Sequence, residues 1–344
     1  MFRPKISRGF RFSTLFWLNL TSNCLSERVL THAAPKALLL VTMRFATRTS
    51  LLLLLTLIPT ILTLRLRKLW RSRSGIDVVV KFGGSAITNK ATLETLDEAA
   101  LAKTAAACAN SKNKKTVLMH GAGSFGHFQA RQYGVSKGIA HETFEWRGFA
   151  ETRASVTKLN GLVVGALCNA GVAAAALPPF PTFVTRGKGI VTKRSLEAGL
   201  THIEELLDAG LTPVLHGDAV LDEVQGCSIL SGDTLMVLLA RAFKPSMAVF
   251  LTDVAGVYDR PPTEEGASLL PRIGVEADGT LRVAAATSTA SHDVTGGLAA
   301  KIDAAAQIAL NGCRVVIVQV GTRHAEAALR GELPEVCTLI EREA

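Results

Sequence analysis

The apolar positions of the chain form short runs that alternate with longer stretches of helical periodicity. Runs rich in Val, Ile and Leu are typical of buried strands, and they occur at 76–80, 116–120, 214–216, 247–251, 314–320 and 336–340. Apolar and small residues that recur every three or four positions predict helices at 92–109, 152–169, 231–243 and 298–310. This alternation predicts an α/β fold, a three-layer αβα sandwich with a mostly parallel central sheet.

Two of the predicted helices have residues near their amino ends that can act as N-caps. Thr95 and Glu98 have the spacing of a capping box, although the helical pattern already covers them. Ser231 or Asp233 can cap the helix at 231–243.

Glycine-containing turns follow the predicted strands. The segments are Lys81-Phe-Gly-Gly-Ser85, His120-Gly-Ala-Gly-Ser-Phe-Gly-His127, His216-Gly-Asp218 and Thr252-Asp-Val-Ala-Gly256. Ligands of open α/β sheets bind at the carboxyl ends of the strands, which is where all of these turns lie. We therefore expect one site that is built from several turns.

The composition of these turns suits phosphate groups. Glycine lets main-chain N–H groups approach an anion closely, and Lys81 adds a mobile positive charge. No Gly-Lys-Ser/Thr follows, so the turns are not a Walker A loop, and the dinucleotide pattern GxGxxG is only loosely met. A plain strand-to-loop junction at Lys81 and a packing role for His127 are the alternatives.

Acidic and basic residues lie near the remaining turns. Asp218 and Asp233 are either routine caps or parts of the site. Asp293-Val-Thr-Gly-Gly297 and Lys301 precede or open a predicted helix, whose amino end favours an anion.

The positive charge belongs to a leader. Residues 1–74 carry 13 Lys/Arg and one acid, Glu27, whereas the other 270 residues carry 25 Lys/Arg and 28 acids. The net charge of +9 therefore does not indicate nucleic-acid binding by the body. We expect a leader at 1–74 and one enzymatic domain at 75–344, and we exclude the leader from the fold.

The leader contains an apolar segment at 51–64 between basic flanks. It is shorter than the ~20 residues of a spanning helix, so a signal core and a short anchor both remain open. An anchor would leave the body facing the cytosol, whereas a cleaved leader would address an organelle. Met43 is a second possible start.

The six cysteines include no CxxC pair. We expect buried free thiols and a reducing compartment.

The turns together resemble those of the amino acid kinase superfamily, and the resemblance covers nearly all of 76–341. Within it, Gly121-Ala-Gly-Ser-Phe-Gly-His127 is similar to the loop of the isopentenyl phosphate kinases, because kinases that act on carboxylates have glycine loops without that histidine. The resemblance implies phosphoryl transfer from ATP, with Mg²⁺, to isopentenyl phosphate. It also implies a homodimer. From the leader itself we expect a membrane contact through 51–64, and from the charge distribution no nucleic-acid partner.

The resemblance also implies roles for particular residues. Those expected to be catalytic are Lys81 and Lys90 beside the transferred phosphoryl group, Lys301 at the γ-phosphate and His127 at the phosphate of the acceptor. Those expected to bind the nucleotide are Lys81, Gly83, Gly84, Ser85, Asp253, Gly256, Tyr258, Gly297 and Lys301. Those expected to bind the acceptor are Gly121, Ala122, Gly126, His127 and Asp218, and no protein group is expected to be a dedicated metal ligand.

Two alternatives remain open from the sequence. One is a kinase of the same superfamily for a carboxylate or a nucleoside monophosphate. The other is a nucleotide-binding scaffold without turnover, tethered to a membrane through 51–64.

Overall fold

Nine strands form one sheet in the computed structural model, which describes residues 75–89, 91–111, 115–187, 189–283 and 296–343. Two further strands form a separate hairpin in the same described part. In chain order the eleven are β1 (Val78–Phe82), β2 (Thr116–His120), β3 (Ala174–Ala176), β4 (Thr212–His216), β5 (Asp218–Asp222), β6 (Gly226–Leu230), β7 (Met247–Thr252), β8 (Arg272–Val275), β9 (Leu281–Val283), β10 (Arg314–Gln319) and β11 (Thr338–Arg342).

The order of strands across the large sheet is β3-β4-β2-β1-β7-β10-β11-β8-β9. The pairs from β3 to β10 are parallel, as is β11 with β8, while β10–β11 and β8–β9 are antiparallel. All five residues of β1 are buried and most are apolar, as expected for a strand covered on both faces. β1 therefore lies in the middle of the sheet, and its carboxyl end lies between those of β2 and β7.

Helices cover both faces of this sheet. They are α1 (Gly84–Ile87), α2 (Glu98–Ala109), α3 (His127–Gln132), α4 (Trp146–Asn169), α5 (Lys193–Asp208), α6 (Gly232–Phe243), α7 (Gly296–Leu310) and α8 (Arg323–Leu329). Apolar side chains of α5, α6 and α7 pack on one face, and those of α1, α2, α4 and α8 pack on the other. The predicted three-layer sandwich with a mostly parallel sheet is confirmed.

Several predicted boundaries were wrong. The helix expected at 92–109 begins at Glu98, because the carboxylate of Asp97 accepts a hydrogen bond from the Ala100 N–H and caps it. The backbone of Thr95 instead bonds to the side chain of Ser124, so the proposed capping box does not form. The cap of α6, by contrast, is one of the two residues expected, because the Ser231 side chain accepts from the Thr234 N–H.

Other elements are longer than the sequence predicted or were not predicted at all. The helix expected at 152–169 begins at Trp146, and the sequence did not predict β3, α5 or the hairpin of β5 and β6. The predicted leader, with its apolar segment at 51–64, lies outside the described residues. Within the described residues, no helix combines the length and the hydrophobicity that crossing a membrane requires.

The cysteines agree in part with expectation. The described cysteines are all free thiols; three are buried, Cys108 is half-buried and Cys168 is exposed. Burial raises the pKa of Cys108 to about 12.

Candidate active site

The turns after β1 and β2 touch each other through their backbones. A Cβ on Gly84 would lie 2.6 Å from the backbone N of Gly123, and a Cβ on Gly121 would lie 2.8 Å from the N of Gly84. Gly123 also has φ of +50°, a conformation that residues with a side chain rarely adopt. Glycine is therefore required here for close approach, and two anion-suited turns lie side by side.

Hydrogen bonds of two side-chain hydroxyl groups link these two turns to their surroundings and to each other. The Thr88 hydroxyl donates to the Gly84 carbonyl at 2.7 Å and accepts from the Ser124 N–H at 3.1 Å. The buried Ser124 hydroxyl in turn bonds to the Thr95 backbone. Ser124 thus has a structural role inside the second turn, linking it to the 89–97 loop.

Lys81 lies near the end of β1 and is only 7% exposed. Its ammonium group contacts Asp233 in the first turn of α6, with Nζ 2.7 Å from Oδ1. A Cβ on Gly232 would lie 2.9 Å from Lys81 Cε, so the glycine leaves room for the lysine chain. Asp233 therefore orients Lys81.

The turn after β2, from Gly121 to Gly126, ends in α3. Gly126 caps this helix, and a Cβ there would come within 2.7 Å of both Ala122 Cβ and Val156 Cγ1. His127 is the first residue of α3 and is exposed. Gly121 and Ala122 are half-buried at the start of the turn.

Asp218 has protein partners instead of an open face. Its carboxylate is buried and accepts hydrogen bonds from Arg153 Nε at 3.2 Å and from the Phe180 N–H at 3.2 Å. Burial raises the pKa of Asp218, and His216 and Arg153 oppose the shift. The Arg153 guanidinium also lies 4.2 Å from the Phe180 ring centroid. Asp218 therefore orients an arginine on α4, and the sequence did not predict Arg153.

The residues expected on the nucleotide side lie on neighbouring elements. Asp253 is exposed after β7, which pairs with β1, and its carbonyl accepts from Gln319. Gly256 packs against β11, where a Cβ would lie 2.4 Å from Thr338 Oγ1. The backbone of Tyr258 forms an isolated antiparallel β-bridge with that of Leu269.

Other residues expected on the nucleotide side lie just after β1 or in α7, and some lie outside the described part of the chain. Gly83 and Ser85 are half-buried in the turn after β1, with the Gly83 N–H donated to Leu251 O at 2.8 Å. Gly297 and the half-buried Lys301 lie in the first two turns of α7. Lys90, and the segment 293–295 that includes Asp293, lie outside the described residues.

Two buried histidines that the sequence did not single out end β2 and β4. His120 and His216 are paired in register, and their rings stack with centroids 5.4 Å apart. Burial, with a contribution from His216, lowers the pKa of His120 to about 3. Burial also lowers the pKa of His216. A polar residue on the apolar face of α4, Asn160, was the available signal, since a buried amide needs a partner.

The fold agrees with comparisons to known proteins. The family model described as the amino acid kinase family matches residues 78–319, from β1 to the end of β10. The chain therefore belongs to the amino acid kinase family.

Its similarity within that family is to isopentenyl phosphate kinases. The enzyme of that name from Arabidopsis thaliana is 44% identical over 236 residues, which are 65% of this chain and 70% of that protein. The one from Methanothermobacter thermautotrophicus is 34% identical over 263 residues, 74% of this chain and 96% of that protein. An X-ray structure of isopentenyl phosphate kinase matches with a TM-score of 0.64 at 30% identity, covering 76% of this chain and 99% of that chain. The family and the subfamily predicted from the sequence are confirmed.

Proposed function

We propose that the chain transfers the γ-phosphoryl group of ATP to isopentenyl phosphate, giving isopentenyl diphosphate and ADP. The observation that carries the proposal is the backbone contact between the turns after β1 and β2, at Gly84, Gly121 and Gly123. Two glycine-rich turns in contact can hold two phosphate groups next to each other, as a transfer between phosphates requires. The similarity to isopentenyl phosphate kinases supports the choice of acceptor.

On the nucleotide side, Gly83, Gly84 and Ser85 are proposed to donate to the ATP phosphates. Lys81 lies beside the transferred group, and Lys301 reaches it from the amino end of α7, where the helix dipole also favours negative charge. Asp253, Gly256, Tyr258 and Gly297 are proposed to shape the rest of the nucleotide site, and Lys90 to complete the set of lysines.

On the acceptor side, the turn from Gly121 to His127 is proposed to bind the phosphate of isopentenyl phosphate. Ala122 contributes backbone N–H, and Gly126 lets α3 begin close to the turn. His127 contributes a ring N–H at the exposed end of the turn. Asp218 is proposed to act indirectly, by orienting Arg153.

The reaction that this arrangement performs needs little proton chemistry. The attacking phosphate oxygen is already ionised, so the main barrier is the repulsion between two anions held in line. Lys81 and the turn N–H groups lower that repulsion by neutralising charge in a fixed geometry. The ion pair with Asp233 keeps Lys81 in place before the phosphates arrive.

The isopentenyl tail requires an apolar slot, and α4 supplies a wall. Phe149 of α4 packs with Phe180 and the residues of β5 and β6, and its ring contacts Trp146. Phe128, directly after His127, is 41% exposed. We infer that the tail lies between α3 and this aromatic cluster.

Mg²⁺ is proposed to accompany ATP. Magnesium in kinases usually keeps several waters and is held through substrate phosphates, which suits a turn composed of N–H donors and a lysine. Among the described residues, no group of three His, Cys, Asp or Glu side chains forms a metal-ligand set. Titration of activity with Mg²⁺ at fixed ATP, with EDTA as control, measures the requirement.

A side-by-side assay tests the proposed function. The full chain is incubated with ATP and isopentenyl phosphate, acetylglutamate or uridylate, and ADP release is measured. We expect turnover with isopentenyl phosphate alone. Turnover with another acceptor, or ATP binding without turnover on any of them, would reject the proposal.

His127 provides the sharpest test of the acceptor. His127→Ala should raise the KM for isopentenyl phosphate by about tenfold or more, since a hydrogen bond to a charged group is lost, while the KM for ATP changes little. Steady-state kinetics with each substrate varied measures both constants. A variant with the parental acceptor KM would leave His127 a packing role only.

The assembly and the location of the protein stay predictions. We infer a homodimer, which light scattering on the purified chain measures. A membrane contact through 51–64 predicts that the full chain sediments with membranes while a chain starting at Gly75 does not. Microscopy of a carboxyl-terminal fusion distinguishes an anchor facing the cytosol from organelle import.

A further inference from the structure

The buried histidines at the ends of β2 and β4 hold the first peptide groups of two turns. Nδ1 of His120 lies 3.0 Å from the carbonyl oxygen of Gly121, and Nδ1 of His216 lies 3.0 Å from that of Gly217. A carbonyl oxygen only accepts hydrogen bonds, so each Nδ1 must carry a proton and donate it. Both histidines are fully buried.

Asn160 fixes the tautomer of the first histidine. Its Nδ2 lies 3.1 Å from His120 Nε2 and 3.4 Å from the Val214 carbonyl oxygen, so this nitrogen is the amide donor. His120 Nε2 must therefore accept, and the ring is neutral with its proton on Nδ1. Among the described residues, His216 Nε2 has no hydrogen-bond partner. The charged groups near His216 are Asp218 and Arg153, which are paired with each other.

Both backbone groups of each glycine are thereby fixed. The Gly121 N–H is donated to Phe82 O at 2.9 Å, and the Gly217 N–H to His120 O at 3.1 Å, while their carbonyls accept from the imidazoles. A trans peptide group is planar, with its C=O and N–H on opposite sides. Because the Gly121 carbonyl is held toward the ring, the Ala122 N–H must point away from it.

The rings lie on the α4 side of the sheet, since Asn160 contacts His120, and Lys81 lies on the opposite side. Phe82 and the residues that pack with α4 lie on one face of the sheet, whereas Lys81 contacts Phe250 on the other. A Cβ on Gly217 would lie 3.4 Å from the Gly232 N and 3.9 Å from the Ala122 N, so these backbone groups converge near Lys81.

We propose that His120 and His216 are positioning residues that act as neutral Nδ1–H donors to the Gly121 and Gly217 carbonyls, and that the bond from His120 directs the Ala122 N–H at the acceptor phosphate. They do not touch the substrate themselves. This role rests on the proposed function, since it assigns the acceptor phosphate to the turn after β2.

Paired substitutions separate positioning from packing. In His120→Asn the side-chain amide can occupy the place of Nδ1, whereas in His120→Gln it reaches toward the place of Nε2 and leaves the Gly121 carbonyl without its donor. We expect the Gln variant to raise the KM for isopentenyl phosphate by about tenfold, as when an N–H contact to an anion is misdirected. The KM for ATP should stay within about twofold, and the Asn variant should recover most of the acceptor affinity. The same pair at His216 tests the second ring, and His202→Gln, on the exposed side of α5, is the matched control.

The tautomers give a readout that needs no substrate. Nitrogen NMR of the full chain labelled at histidine, with the His120→Asn and His216→Asn variants as assignments, should show two rings with the proton on Nδ1 that do not titrate around neutral pH. Equal acceptor KM values for Asn and Gln variants, or a ring with its proton on Nε2, would overturn the positioning role. Absence of turnover by the parent chain would overturn the proposed function alone, because the NMR result still decides how the rings hold the glycines.

Discussion

Gly84→Ala places a methyl group where the two phosphate-suited turns touch. The added Cβ would lie 2.6 Å from the backbone N and 2.7 Å from the Cα of Gly123. Ordinary Cβ contacts begin at 3.4 Å, so one turn must move by about 0.8 Å relative to the other. The obstacle is backbone, which cannot rotate away as a side chain would. A misplacement of about 1 Å between reacting groups can lower a rate by about 100-fold.

We therefore expect Gly84→Ala to lower kcat with isopentenyl phosphate and ATP by about 100-fold. The substitution lies in the turns and not among the large apolar side chains, so the melting temperature should fall much less than in a core variant. Steady-state kinetics and a thermal melt of the same preparation measure the two effects. Gly121→Ala meets the Gly84 N at 2.8 Å and should show the same effect in a milder form.

Gly161→Ala is the matched control, because a Cβ at this position on α4 has no atom within 4 Å. Alanine is the better helix former by ~1 kcal/mol, so this variant should fold at least as well and keep its activity. A folded Gly84→Ala enzyme with kcat within about threefold of the parent, well short of the loss expected from a displaced reacting group, would refute the idea that the backbone contact sets the distance between the phosphates.

Three further predictions concern charge and boundaries. Lys81→Ala and Lys301→Ala should each lower kcat by about 100-fold and change the KM for ATP much less, since both lysines are proposed to contact charge that shifts during the transfer. A loss of kcat below about threefold would show that the lysine in question is not part of the site. Hydrogen bonds from Lys158 and then Ser155 lower the pKa of Glu94, so Glu94→Gln should be less stable than the parent near neutral pH, by at most ~1 kcal/mol. That difference should vanish as the pH falls through the lowered pKa, because the protonated carboxyl no longer gains from the pair, and urea unfolding at several pH values measures it. A chain starting at Gly75 should fold and keep the activity of the full chain, and an insoluble or inactive product would place the boundary elsewhere.

The parts of the fold that the sequence predicted are those with local signals. Buried runs such as 116–120 are apolar enough to indicate strands alone, and a glycine directly after the run, here Gly121, indicates the turn. Helix starts were less certain because neighbouring residues compete for the same role. Asp97, and not Thr95, caps α2, since the Thr95 backbone is already bound by Ser124 from the acceptor turn.

The parts of the site that the sequence did not predict depend on contacts between distant residues. Arg153 and Asp218 are 65 positions apart and meet only because α4 packs beside β5. His120 and His216 become neighbours through strand pairing, so neither histidine carries a signal in its own surroundings. Lys81, by contrast, could be proposed from the sequence because its strand and its glycines lie next to it in the chain, although its partner Asp233 is 152 positions away.

The strand order places the proposed acceptor half and the proposed nucleotide half of the site on opposite sides of β1, which bears on how such enzymes diverge. The turns after β2 and β4 lie on one side of β1, and the segments after β7 and β10 lie on the other. The hairpin of β5 and β6 continues from β4, and α3 follows the turn after β2, so both belong to the β2 and β4 side of β1, whereas Asp253 and Gly256 follow β7 on the other side. Under the proposed function, a lineage can therefore change its acceptor through substitutions on the β2 and β4 side without altering the segment after β7. The central strand, with Lys81, is the only part that both flanks share among the strands described here, and it is where such an exchange would be least tolerated.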